Sequence, residues 1–142
     1  MSTHIIRELS KDEIARIYPF ANMLNPSMGE PRFAVLIQQM LTDGYRCAGI
    51  FDDGTLIGIC GFWIRTQFFS GRQVEPDNVI VLDAYRGCGM GKQLMEWVEK
   101  LAKQEGCESA FLKSYTANTT SHRFYLNAGY RIEGFGFLKE LH

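Results

Sequence analysis

The sequence contains no run of roughly eighteen consecutive apolar residues, the length a helix needs to cross a bilayer. A membrane-spanning chain is therefore not expected. Nor does one sign of charge dominate, since 15 Lys and Arg stand against 16 Asp and Glu for a formal net charge of −1. That balance leaves no broad electrostatic footprint for nucleic acid or an anionic membrane surface, beyond any local anion site. Met1-Ser2-Thr3-His4 runs directly into charged sequence, without the basic region and apolar run of a secretory leader. The expected location is the cytoplasm.

Paired cysteines are missing as well. Cys47, Cys60, Cys88 and Cys107 form no Cys-x-x-Cys unit, and no histidine stands nearby at zinc-ligand spacing. No metal is expected, and reduced, partly buried packing thiols are. There is no internal repeat, low-complexity tract or linker. A chain of 142 residues, 46% apolar and 13% aromatic, suits a single domain over 1–142 with one sizeable core.

The periodicity gives the element order. His4 to Leu9 reads as a strand, and Ser10 and Glu13 have the capping-box spacing of a helix start, with Ile14, Ile17 and Tyr18 on its apolar stripe and Pro19 helping to end it. A second helix carries Phe33, Leu36, Ile37, Met40 and Leu41 and stops near Gly44. Tyr45 to Phe51 and Thr55 to Phe69 read as a hairpin about Asp53-Gly54, because Asp-Gly supplies the positive φ angles a tight turn demands. Val79 to Leu82 is continuously apolar, as in a strand covered on both faces. Gly89 to Lys103 is an amphipathic helix, followed by a short strand at Ala110 to Leu112 and a helix from Thr119 to Ala128. Two strand-like pieces close the chain, Tyr130 to Ile132 and Phe135 to Leu141. The predicted architecture is a mixed α/β sheet with antiparallel hairpins, in which the crossover helix between Leu82 and Phe111 makes one pair parallel.

Chemistry is concentrated where the buried strand meets the long helix. Gly87, Gly89 and Gly91 alternate there with Cys88 and Met90, between Arg86 and Lys92. Without Cβ atoms the backbone approaches a ligand closely, and the unpaired amides of the first helical turn form an anion site. A helix terminus alone favours an anion by only about 0.3–1 kcal/mol. A pyrophosphate gains more, because several amides act with the Arg86 and Lys92 side chains. The dinucleotide fingerprint Gly-x-Gly-x-x-Gly fails here by one residue, and the P-loop fails because Arg86 replaces its first glycine and Gln93 follows Lys92.

What remains resembles the acetyl-coenzyme A loop of the GNAT family, Arg/Gln-x-x-Gly-x-Gly/Ala, matched by Arg86, Gly89 and Gly91. Downstream, Asn118, Phe124, Tyr125 and Gly129 match the family's second signature, Asn-x-x-Ala-x-x-Phe-Tyr-x-x-x-Gly-Phe, with Ser121 and Tyr130 as departures. The two signatures stand in the family's order over about Val79 to Tyr130. The resemblance implies a GNAT-like acyl-CoA N-acyltransferase fold, with a mostly antiparallel twisted sheet and about four helices. It implies acetyl-CoA as co-substrate, its pyrophosphate held by Arg86, Gly87, Cys88, Gly89, Met90, Gly91 and Lys92. Ile80, Val81 and Leu82 would pair their backbone with the pantetheine arm, and Asn118 would contact that arm or orient the tyrosine. Tyr125 would protonate the departing coenzyme thiolate, and homodimers are frequent in the family.

The family often places a glutamate on the central strand, where this sequence has Asn78, which cannot take a proton at neutral pH. Glu75 and Asp77 flank it, and either is a candidate base through water. His122 reads as surface and Cys88 as a loop spacer. Phe20, Met23, Met28, Phe33, Tyr45, Phe68 and Phe69 suggest an apolar acceptor pocket, or equally core. The expected activity is acetyl transfer to a small primary amine by direct attack in a ternary complex. A protein N-terminal or lysine acetyltransferase and a non-catalytic acyl-CoA sensor are the alternatives.

Overall fold

The computed structural model describes residues 4–142, so the reading of Met1 to Thr3 lies outside the described residues. The chain forms two compact units, one ending at Phe111 and one running from Leu112 to His142.

In the first unit, five strands pair in chain order: β1 (His4–Glu8), β2 (Arg46–Asp52), β3 (Thr55–Gln67), β4 (Gly71–Val81) and β5 (Ser109–Ala110). The first four are antiparallel and β5 is parallel to β4, the mixed, mostly antiparallel sheet that the pattern predicts. Three α-helices lie between them: α1 (Tyr18–Leu24), α2 (Glu30–Thr42) and α3 (Met90–Gln104). The β2–β3 turn has Asp53 at φ 48° and Gly54 at φ 84°, the left-handed pair that Asp-Gly provides.

Side chains alternate across the sheet, which divides the core between its faces. Tyr45, Cys47 and Ile59 pack in one cluster with Ile14, Ile17, Phe20, Phe33 and Ile37 of the helical segments before β2. The intervening residues Ala48, Ile50, Cys60 and Phe62 are buried too, and α3 packs on β2, β3 and β4 with Leu94, Met95 and Val98 buried. Arg46 binds Glu8 and Glu105 through paired bonds of 2.8–2.9 Å, tying β1 and β2 to the end of α3.

Three expectations are corrected. Pro19 does not end a helix but begins one, because at the first turn of α1 its missing N–H has no helical acceptor to lose. The preceding Ile14–Ile17 is only a 3-10 turn, although Glu13 does reach back to the Ser10 amide at 3.0 Å. The strand expected over Val79 to Leu82 begins at Gly71, its period hidden by polar residues. Pro76 lies inside this ladder. The Val74 carbonyl faces β5, accepting from the Phe111 amide at 2.9 Å, so Pro76 two residues on faces the same edge, where β5 has ended. Its missing donor therefore breaks no ladder bond.

The second unit carries α4 (Thr119–Asn127), capped by the Asn118 side chain, which accepts from the Ser121 amide at 3.1 Å. Gly129, at φ 95°, follows its end. The strands expected at Tyr130 to Ile132 and Phe135 to Leu141 form no ladder among the described residues, and Phe135, Phe137, Leu138 and Leu141 are exposed. Alternation makes a segment able to pair, but a strand exists only with a neighbouring backbone. Among the described residues no helix is long and apolar enough to cross a membrane, and no cluster of His, Cys, Asp and Glu has a metal site's composition.

Candidate functional site

The site is built on the second half of β4 and the turn that follows it. β3 pairs with β4 along Gly58–Gln67, whereas β5 reaches only Gln73 and Val74. Beyond Val74, no strand among the described residues pairs with the other edge of β4. Of the residues expected to pair with a pantetheine-like arm, Val81 turns its peptide groups to that edge, whereas the Leu82 amide donates to the Ile57 carbonyl and Ile80, two residues before it, faces β3 as well. The Ile80 side chain is buried, so Ile80 supports the strand from the core.

The ladder contains one irregularity. Cys60 pairs with Val79 and Gly61 with Asp77, so Asn78 is the extra residue of a β-bulge, at φ 64°. Asparagine tolerates that left-handed backbone better than most side chains do. An Asn in mid-strand was the available sequence signal for the bulge.

Past Val81 the chain makes a short 3-10 turn at Asp83–Tyr85. The Tyr85 hydroxyl donates to Asp52 Oδ2 at 2.7 Å, and the Leu82 amide donates to the Ile57 carbonyl at 2.9 Å, so the turn is pinned to the β2–β3 hairpin. Sequence reasoning did not single out this anchor, because Asp52 and Tyr85 are 33 residues apart. Gly87 and Gly89 both lie at φ 79°, and a Cβ on either would meet open space. Glycine is required there by the backbone and not by crowding within the protein.

Gly89 is the N-cap of α3, with no side-chain cap and no acidic residue in the first turn. The partial positive charge of the helix start thus faces no carboxylate of its own turn. Arg86 is exposed and pairs with Asp83 at 3.1 Å, and Lys92 is exposed beside Glu96 at 3.9 Å. Exposed pairs of this kind are weak enough to exchange for a phosphate. Met90 is buried, leaving only its backbone for a ligand, while Cys88 is exposed between the two left-handed glycines. Gly91 occupies the first turn of α3.

The two candidate bases lie upstream on β4, on the face that also carries Gly61 and Trp63 of β3. Glu75 is an ion-pair partner of Arg65 at 3.7 Å. Asp77 accepts from the Trp63 indole nitrogen at 3.3 Å. Tyr45 is buried against Trp63, and burial pushes its phenol well above the ordinary range, with neighbouring Cys47 and Asp77 adding to the effect. Phe20, Phe33 and Tyr45 are therefore core and not pocket lining, while Phe68 and Phe69 are exposed in the β3–β4 turn, past the end of the strand. These apolar residues belong to a packed layer or a loop, which aromatic content alone does not distinguish.

Asn118 caps α4 and Tyr125 lies within it, both in the second unit. Tyr125 makes edge contacts with Phe124 and Tyr130, at 5.3 and 6.0 Å between ring centroids. His122 Nε2 lies 2.8 Å from the Tyr115 carbonyl, a local bond that fits its reading as a non-catalytic helix residue.

An unpaired stretch of β4, a left-handed glycine turn and a helix start without a side-chain cap thus follow one another at the end of a mixed α/β sheet. A sequence model described as the acetyltransferase (GNAT) family matches residues 12–130, and the chain belongs to that family. An aminoalkylphosphonate N-acetyltransferase of Salmonella typhimurium is 31% identical over 90 residues, 63% of this chain. The chain spans 58% of that relative's length. The aminoglycoside N-acetyltransferase AAC(6')-Iy in complex with CoA superposes with a TM-score of 0.86 at 22% identity, over 99% of this chain and 96% of that one. A ribosomal-protein-alanine N-acetyltransferase from Brucella melitensis biovar Abortus gives 0.83 at 16% identity, over 99% and 100%. The last two likenesses establish the GNAT fold.

Proposed function

We propose that this protein is a cytoplasmic N-acetyltransferase that moves the acetyl group of acetyl-CoA to a primary amine of a small molecule. The observation that carries this reading is the continuity of the open β4 edge with the left-handed Gly87–Gly89 turn and the uncapped start of α3, in a chain of the GNAT family. The edge would take the pantetheine amides, and the turn and helix start would take the pyrophosphate. The likeness to an aminoalkylphosphonate N-acetyltransferase supports a small-amine acceptor. Cys47 and Cys60 are buried and unpaired, in keeping with a reducing compartment.

In the reaction, the neutral amine nitrogen attacks the thioester carbonyl carbon, giving a tetrahedral oxyanion. As the C–S bond breaks the thiolate takes a proton, a role that the family resemblance gives to Tyr125, whose phenolate would be reprotonated from water, and the ammonium proton leaves through water to a carboxylate. Both substrates are held together, so proximity supplies much of the acceleration and no covalent enzyme intermediate is needed. Asp77 suits the base role better than Glu75, because Arg65 already pairs with Glu75, whereas Asp77 takes only a neutral indole donor. Asn78 sits exposed at the bulge, and the acid missing from that position is supplied one residue earlier.

The test is thiol release from acetyl-CoA across a panel of aminoalkylphosphonates, aminoglycosides, polyamines and peptides. Turnover on a small amine supports the reading; turnover on peptides alone replaces it with a protein acetyltransferase. Coenzyme binding without turnover anywhere makes the chain a sensor. In an active protein Tyr125→Phe should lower kcat by about 10²–10⁴ with coenzyme affinity retained, and unchanged kcat removes Tyr125 from the mechanism.

A further inference from the structure

The geometry points to Trp63 as the positioning residue for Asp77, holding one carboxylate oxygen so that the other is left to take the substrate proton. This rests on the proposed role of Asp77 as base. Trp63 and Asp77 lie on neighbouring strands, two positions apart in the ladder, since Asp77 is in register with Gly61 and Trp63 with Glu75. The indole Nε1–H donates to Oδ2 at 3.3 Å. A donor on one oxygen removes the freedom of the carboxylate to rotate and leaves Oδ1 for water or an amine.

The indole is itself held from more than one direction. Tyr45 packs on it at 5.2 Å between centroids and an interplanar angle of 58°, and the Arg65 guanidinium lies 5.8 Å from its ring centre. The Tyr45 phenol reaches its place because Gly61 has no side chain, for a Cβ there would clash with the phenol oxygen. Gly61 is the residue directly across the ladder from Asp77, so the phenol that fills its missing Cβ's place, the indole it packs on and the carboxylate share one face of the sheet. Arg65 also binds Glu75, which keeps that second acid engaged beside the indole. A neutral indole is suited to the task, because it orients the oxygen without placing a cation against the group that must accept a proton.

Trp63→Phe keeps an aromatic ring between Tyr45 and Arg65 and removes only the donor. On the amine turned over best, Trp63→Phe should lower kcat by about tenfold, the scale of one hydrogen bond to a charged group, with KM for acetyl-CoA and coenzyme A affinity by calorimetry unchanged. In an Asp77→Asn background the same change should alter kcat less than about twofold, since the two residues act as one unit. A similar tenfold loss in both backgrounds would mean that Trp63 only supports the fold, and overturns the inference. So does wild-type kcat in Trp63→Phe while Asp77→Asn is impaired, with the base reading intact. Wild-type kcat in Asp77→Asn brings down both. Independently of turnover, the Trp63 indole ¹H–¹⁵N resonance should move upfield in Asp77→Asn, and an unmoved resonance also overturns the inference.

Discussion

Gly61 illustrates how a single absent atom group organises a site. The phenol of Tyr45 occupies the space a Cβ would take, with ring carbons within 2.7 Å of it. Gly61→Ala should therefore cost about 1–3 kcal/mol of stability, read from the urea midpoint, as overpacking of a filled core does. The thiols offer a second residue-level test. Burial pushes Cys47 up to about 12 and Cys60 higher still, whereas Cys88 is exposed in the glycine turn. In the native protein, alkylation followed by mass spectrometry should mark Cys88 and leave Cys47 and Cys60 untouched until unfolding. Coenzyme A should slow the labelling of Cys88 if the turn holds its pyrophosphate.

Two elements meet the rest of the molecule through identifiable bonds. The 3-10 turn is joined to β1 by Glu13, which binds Arg7 through two bonds of 2.7 Å and so lies at about 2, well below its ordinary value near 4.5. A carboxylate held low in the folded state contributes stability above its unfolded value and loses it as pH falls through the folded one. The thermal midpoint should accordingly fall between about pH 4.5 and 2, and Arg7→Met should flatten that decline; an unchanged slope would remove the ion pair from the acid response. The second element is the helix start at α3. Gly89→Val forces a branched side chain into a φ of 79°, at a cost on the order of 1–3 kcal/mol, and should weaken coenzyme A binding by about tenfold or more in calorimetry.

At the scale of the whole molecule, ligand linkage joins the site to the fold. A ligand that binds only the folded chain at about 100 times its Kd adds about 2.7 kcal/mol to stability. Coenzyme A should raise the melting temperature of the wild type and of Asp77→Asn alike, and fail to raise that of Gly89→Val at the same concentration. A rise in Gly89→Val equal to the wild type would place the coenzyme elsewhere. The same experiment separates a coenzyme-binding protein without a substrate from one that does not bind it at all.

Much was readable from local pattern. Asp53-Gly54 specified the hairpin, the apolar face of residues 89–103 specified the crossover helix, and Arg86, Gly89 and Gly91 marked the anion turn, because each depends on neighbours a few residues away. The pairing of Trp63 with Asp77 and of Asp52 with Tyr85, the room that Gly61 gives Tyr45, and the edge of β4 left open beyond Val74 were not readable in that way. Each joins residues far apart in the chain, and only the register of the sheet brings them together. Tyr130 to Ile132 and Phe135 to Leu141 show the limit from the other side: their alternation states an ability to pair, whereas strand formation depends on a partner that the segment itself does not encode. Sequence thus determined which backbone conformations each segment can hold, and tertiary structure decided which of them meet, because contact between distant residues is a property of the folded register and not of any local propensity.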